Sequence, residues 1–155
     1  MPIKWYIHNW ESLNKKALYE VLELRSAVFV VEQDCVYQDI DSKDEKATHI
    51  LGYEKRTLVA YSRIFINTNS ATIGRVVIHP SFRGLGYGRL LIKKSLSQLP
   101  TKITTHISAQ EHLKTFYESL GFSQTGKGYL EDGIPHIPMT NSCLLYTSDA
   151  ADETC

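Results

Sequence analysis

The order of secondary structure written into this chain predicts an α/β fold of the α+β type. Three observations carry that expectation. Runs of β-branched and aromatic residues alternate with three helical stretches in the order β-α-β-β-β-α-β-α-β, with one more closing strand left open. Thr48–Glu54 and Thr57–Phe65 read as an antiparallel hairpin across Lys55-Arg56. A β-branched strand, Thr72–Ile78, leads through a glycine-rich turn directly into a helix.

Lys4 to Trp10 reads as the first strand. From Asn14, the apolar residues Leu18, Val21, Leu22, Val28 and Phe29 fall on one side of a helix, and Asn14 or Ser12 can cap its start. Gln33 to Lys46 is rich in acids and is expected to be a solvated loop. After the hairpin, Asn67-Thr68-Asn69-Ser70 has turn chemistry. Pro80 stops the next strand. Leu90, Leu91, Leu96 and Leu99 mark a helix that ends before Pro100. Lys102–Ser108 is a strand, and Glu111–Leu120 is a short helix with Gly121 at its C-cap position. The remainder, to about Met139, closes the fold with one or two strands.

The 155 residues suggest one domain, and 43% apolar with 22% charged residues is an ordinary globular composition. A formal net charge of zero gives no electrostatic case for nucleic acid or an acidic membrane as partner. No stretch approaches a membrane span, and Met1-Pro2-Ile3-Lys4-Trp5 lacks a signal-peptide pattern, so a cytoplasmic location is expected. Cys35, Cys143 and Cys155 have no metal-ligand spacing, which fits a reducing compartment and no metal. The acids Asp39, Asp41, Asp44 and Glu45 do not make a calcium loop. Counting from Asp39, the glycine and glutamate places of an EF-hand fall on Asp44 and Ile50. The segment Cys143–Glu153 resembles the in-frame translation of a transposon-based sequencing adapter. Residues 143–155 are therefore read as a non-native, disordered tail beyond a single domain of residues 1–142. The tail holds three acids and no base, so the remaining 142 residues carry +3.

The informative unit is the strand through Val76, Val77 and Ile78, then Arg83-Gly84-Leu85-Gly86-Tyr87-Gly88-Arg89, then a helix. The first amides of a helix lack intrahelical acceptors, and the helix dipole places partial positive charge beside them. Glycines let that backbone approach an anion closely. Arg83 and Arg89 add charge-assisted contacts, and the whole suits a pyrophosphate. A Walker-type loop needs Lys-Ser or Lys-Thr after its last glycine; here Arg89-Leu90 follows Gly88. A dinucleotide fingerprint counted from Gly84 and Gly86 needs a third glycine where Arg89 stands.

The pattern Arg83-x-x-Gly86-x-Gly88 after such a strand resembles motif A of the GCN5-related N-acetyltransferase (GNAT) superfamily. The segment Gln110 to Phe122, ending in Tyr117-x-x-x-Gly121-Phe122, resembles a second GNAT block. Val28–Gln33, Asp41-x-x-Asp44, His49-Ile50-Leu51 and Tyr129–Ile137 are similar to the ElaA subgroup, and the likeness spans about residues 3–140. One departure is Thr105-His106-Ile107-Ser108, where the subgroup tends to have an apolar or tyrosine-containing strand. The resemblance implies a mixed, mostly antiparallel central sheet flanked by helices. It implies acetyl-CoA as co-substrate, with Val76, Val77 and Ile78 along the pantetheine and Gly84 to Arg89, with Arg83, around the pyrophosphate. Gln110 stands where the family often has a cofactor-binding asparagine, and Tyr117 where many members have a tyrosine near the CoA sulfur. The seven-residue spacing of these two is about two helical turns, so a helix would place both on one side.

The implied chemistry is direct acetyl transfer to a primary amine in a ternary complex. The acceptor is a small molecule or a peptide, and a homodimer is left open. Tyr117 would protonate the departing thiolate. Glu32 is the first candidate for the base that deprotonates the ammonium, because it follows the helix bordering the acceptor groove in this fold. Glu131 and His136 come next, then His106 and His49. The alternative is a non-catalytic acyl-CoA-binding or sensing module of the same fold.

Overall fold

The structure, a computed structural model, describes residues 2–142. The segment set aside above, residues 143–155, lies outside the described residues. In chain order the elements are β1 (Lys4–His8), α1 (Lys15–Arg25), β2 (Thr48–Glu54), β3 (Thr57–Ile66), β4 (Ser70–Ile78), α2 (Tyr87–Ser97), β5 (Thr104–Gln110), α3 (Lys114–Glu118), β6 (Ser123–Gln124), β7 (Tyr129–Glu131) and β8 (Ile134–Ser142). The strands form one sheet in the order β1-β2-β3-β4-β5-β8-β6, with β7 also paired to β8. Among the described residues only β4 and β5 run parallel; every other pairing is antiparallel.

Local chemistry explains most boundaries. Asn14 caps α1 by accepting from the Ala17 amide at 2.8 Å. Lys55 takes a positive φ of 56° in the two-residue β2–β3 turn, as such hairpin turns require. Beyond Arg25 the chain does not continue as α-helix. Ser26–Glu32 is wound as π-helix, and such segments recur at functional sites. The helix expected over Glu111–Leu120 begins as a 3-10 turn at Glu111–Leu113 and is regular only over Lys114–Glu118. Gly121 follows with φ 94°, and the Phe122 amide bonds back to the Tyr117 carbonyl at 3.1 Å, closing the helix end. Three strands close the fold where one or two were expected. The extra hairpin turns at Asp132-Gly133, both at positive φ, which suits a type I′ turn.

The sheet buries apolar residues on both faces, in three clusters among the described residues. Val21 and Leu24 of α1 pack on Leu51, Leu58, Tyr61 and Val77. On the opposite face, α2 places Ile92 against Ile73, Ile107 and Tyr117, and Leu91 against Ile50, Ile64 and Ala71. This arrangement leaves α2 to start at the end of β4.

The acidic stretch is not a solvated loop. Asp39 and Asp44 are buried, and three arginines account for it. Arg25, fully buried, donates to Asp39 Oδ2 at 3.0 Å and to Asp44 Oδ1 at 2.9 Å. Arg63 forks onto Asp41 at 2.9 and 2.5 Å and also reaches Asp44 at 2.9 Å. Arg75 Nε lies 2.8 Å from Asp39 Oδ1. A charge excluded from water must find such partners, because burying it alone is far too costly. His49 is spent on the same cluster. Its Nε2 donates to the Asp44 carbonyl at 2.9 Å, its Nδ1 meets the Tyr61 hydroxyl at 2.6 Å, and burial pushes its pKa down.

Candidate active site

The site begins with a defect in β4. Arg63 faces Gly74 and Tyr61 faces Val77, so Arg75 and Val76 on β4 oppose Ser62 alone on β3. Arg75 adopts φ 49° to accommodate the extra residue. A bulge bends its strand and adds twist. The parallel ladder between β4 and β5 accordingly stops at Ile73 and Ile107, although β4 runs on to Ile78 and β5 to Gln110. The two strands splay, and a cleft opens between them. His79 donates to Val59 on β3, so by strand alternation the Ile78 amide faces the open side.

A groove of 740 Å³ occupies that cleft and runs over the start of α2. Val76, Val77 and Ile78 line one wall, and Arg83, Gly84, Gly86, Tyr87, Gly88 and Arg89 form the far end. Leu85 is exposed at the tip of the turn and does not line the groove. Gly84 and Gly86 sit at φ 77° and 86°, a region L-residues avoid, and a Cβ on either would project into open space. Gly86 caps α2 with no side chain, so the amides of Tyr87, Gly88 and Arg89 are left for an external acceptor. The turn can thus cradle an anionic group, and its wall continues along an apolar strand. A pyrophosphate with an extended arm fits both features.

Sequence and structure comparisons identify the family and the fold. The model of the acetyltransferase (GNAT) domain family matches residues 13–143. The chain belongs to the GNAT acetyltransferase family. It is 41% identical over 151 residues to Protein ElaA of Escherichia coli (strain K12), covering 92% of this chain and 98% of that one. The E. coli ElaA crystal structure superposes with TM-score 0.86, covering 91% of this chain and all of that one. An acyl-CoA N-acyltransferase from Pseudomonas aeruginosa does so equally, at TM-score 0.86, 36% identity and the same coverage. A GNAT family acetyltransferase from Elizabethkingia anophelis, solved with acetyl-CoA bound, shares the fold at TM-score 0.66 and 13% identity, covering 90% of this chain and 97% of that one.

In this GNAT fold a second, inner pocket of 130 Å³ adjoins the groove. Phe29, Gln33, Val76, Gln110, Leu113 and Tyr117 line both cavities. Gln110 and Tyr117 therefore meet at the junction, but not through helical periodicity. Gln110 ends β5, and Tyr117 comes from α3. Tyr117 is buried between Phe116 and Phe122, with ring centroids at 5.1 and 5.8 Å. Burial pushes its phenol pKa up, so the hydroxyl is held protonated. Glu131 and His136 line the inner pocket, as do Cys35, Arg75 and Ser108. His106 and His49 do not. His106 stands exposed on the outer face of β5, near Thr140 at 3.3 Å.

Glu32 lines the groove and not the inner pocket. Its carboxylate receives both Arg83 amines, at 2.6 and 2.7 Å, and that hydrogen bonding holds it below the usual carboxylate range. Both side chains are more than 40% exposed, so the pair is worth little and yields readily to a stronger anion. Glu32→Gln is expected to tighten CoA binding about 2- to 5-fold by releasing Arg83. Calorimetric titration with CoA measures this. A fall in turnover of about 100-fold without tighter binding would instead mark Glu32 as the base.

The bulge and the inner pocket carry no sequence motif. Their signal lies in Asp39, Asp41 and Arg75, which meet only in three dimensions: Arg75 Nη2 reaches the Asp39 carbonyl at 3.0 Å and Asp41 at 3.3 Å. Asp39 and Asp41 thereby hold the residue that splays the cleft.

Proposed function

We propose that this protein transfers an acetyl group from CoA to a primary amine, directly and within one ternary complex. The observation that carries the reading is the junction at Gln110 and Tyr117. It joins a groove shaped for a pyrophosphate and its arm to a small polar pocket of a size for one amine-bearing chain. The acceptor is a small-molecule or peptide amine. Acetyl-CoA, when bound, supplies a thioester whose C–S bond breaks as the new C–N bond forms.

The protein's own residues do the remaining work. The amides at the start of α2, with Arg83 and Arg89, hold the diphosphate. Val76 and Ile78 border the arm, and the Ile78 amide is aimed where a carbonyl oxygen gains charge. Gln110 fixes the position of the reacting end. Tyr117 gives its proton to the sulfur as the thiolate leaves.

Tyr117→Phe separates chemistry from packing, because the ring and its contacts with Phe116 and Phe122 remain. It is expected to lower kcat about 100-fold with KM for acetyl-CoA within about 2-fold. The assay is CoA release against polyamines, amino acids, aminoglycosides and peptide N-termini. Equal activity in the variant would return Tyr117 to core packing.

A further inference from the structure

Three polar side chains meet at one wall of the inner pocket, Ser108 from β5, Glu131 from β7 and His136 from β8, and Tyr129 of β7 stands behind them. Strand register brings them together. His136 pairs with Gln110 on one side and Tyr129 on the other, so the imidazole stands one strand away from the junction residue. The Tyr129 ring stacks on it, with centroids 6.2 Å apart and planes 20° apart.

The hydrogen bonds fix the tautomer. His136 Nδ1 lies 2.7 Å from the Ile134 carbonyl oxygen. A carbonyl only accepts, so Nδ1 carries the proton and Nε2 of the neutral ring carries the lone pair. Nε2 faces Glu131 Oε2 across 3.8 Å, too far for a hydrogen bond between them. One donor nitrogen seated over the gap, about 2.2 Å off the line joining the two atoms, reaches both with hydrogen bonds of about 2.9 Å. Glu131 is already oriented: its Oε1 accepts from Ser108 Oγ at 3.0 Å, and Ser108 in turn makes a short hydrogen bond with the Tyr129 hydroxyl. His136 is buried and Glu131 is half exposed, so a proton received at the ring has a route to solvent through the carboxylate.

We propose that the gap between His136 Nε2 and Glu131 Oε2 is the seat of the acceptor's ammonium, with His136 as its base and Glu131 as its anchor. This rests on the acyl-transfer reading above. One N–H bond of the ammonium breaks, the electron pair stays on nitrogen, and the proton passes to Nε2. The imidazolium so formed faces the Glu131 carboxylate, which stabilises it. The other titratable groups facing this pocket are Asp132, Cys35, Tyr37, Arg75 and Tyr117. Arg75 is held by Asp39 and Asp41, and the Cys35 thiol donates to the Asp132 carbonyl at 3.3 Å.

Nitrogen NMR of histidine-labelled protein, titrated with n-butylammonium chloride, tests the seat. His136, assigned by its loss in His136→Gln, is expected to show a bare Nε2 in the neutral ring. That resonance should shift with n-butylammonium, and Glu131→Gln should abolish the shift. In turnover of acetyl-CoA with n-butylamine near pH 7, His136→Gln is expected to lose about 100-fold in kcat. The deficit should shrink as pH approaches the amine's own pKa of ~10, where free amine needs no base. A proton on Nε2 of the neutral ring, an unperturbed His136 at saturating n-butylammonium, or a deficit constant with pH would overturn the proposal. CoA titrated into the same variants should bind as in the wild type. A wild-type protein that does not bind CoA would defeat the acyl-transfer reading instead, and the ammonium titration would still report on the seat.

Discussion

Gly86→Asp is expected to weaken CoA binding by about 100-fold or more while leaving a folded protein. The reason is the cradle at the start of α2. Gly86 sits at φ 86°, and a Cβ there would meet no protein atom within 4 Å. The protein itself offers no steric objection; the volume the side chain would enter is the volume reserved for the ligand. A carboxylate about 4 Å from one phosphate charge costs roughly 4 kcal/mol at the effective dielectric of a protein surface. At 1.4 kcal/mol per tenfold, that exceeds two orders of magnitude. An L-residue in the left-handed region also costs about 1–2 kcal/mol of stability, so the effect needs a control. Gly86→Ala carries the same backbone penalty with no charge and should lose far less affinity. Calorimetric titration of CoA into both variants, with melting curves to confirm folding, reads the difference. A folded Gly86→Asp protein that binds CoA like the wild type would remove the diphosphate from this turn.

That turn was legible in the sequence because its chemistry is local. Three glycines, two arginines, the strand before them and the helix after them lie within the 28 consecutive residues 70–97, and each acts on its immediate neighbours. The same locality made the Lys55-Arg56 hairpin, the Asn14 cap and the end of the helix before Pro100 readable. What stayed hidden depends on residues far apart in the chain. Arg75 is a non-glycine residue at positive φ, and nothing beside it in sequence announces a bulge. Its partner Asp39 lies 36 residues earlier, in a stretch whose acids look like a solvated face until Arg25 and Arg63 are placed against them. Gln110 and Tyr117 reach the groove from a strand end and a separate helix, so a spacing argument based on one helix brought them together for a different reason. The inner pocket draws on the loop at Cys35, the end of β5 and the β7–β8 hairpin, which no short window contains.

Asp44→Asn is expected to destabilise the fold by about 3–5 kcal/mol, on the order of 10–15 °C in melting temperature. Asp44 serves two arginines at once, each at 2.9 Å, and one of them, Arg25, is fully buried. Removing its charge leaves a guanidinium without water and with only Asp39 to answer it. Asp41→Asn should cost less, because Asp41 is more exposed and Arg63 keeps Asp44. The same cluster sets the acid limit of stability. Burial pushes the Asp44 pKa up, but the hydrogen bonds and charges of Arg25 and Arg63 more than offset that, and the net shift is down from 3.8. Asp41 is lowered as well, chiefly by its hydrogen bond to Arg63. A carboxylate with a depressed folded-state pKa stabilises the fold above its unfolded value and loses that contribution as pH falls through the folded value. The wild type should therefore lose stability steeply below about pH 4, and Asp44→Asn should show a shallower acid slope from a lower plateau. Denaturant unfolding across pH measures both the plateau and the slope. Parallel acid slopes in the two proteins would show that other carboxylates set the limit. Because Asp41 also reaches Arg75, at 3.3 Å, loss of this cluster should loosen the β4 bulge before it unfolds the sheet. CoA binding is then expected to fail at a higher pH than the secondary structure does.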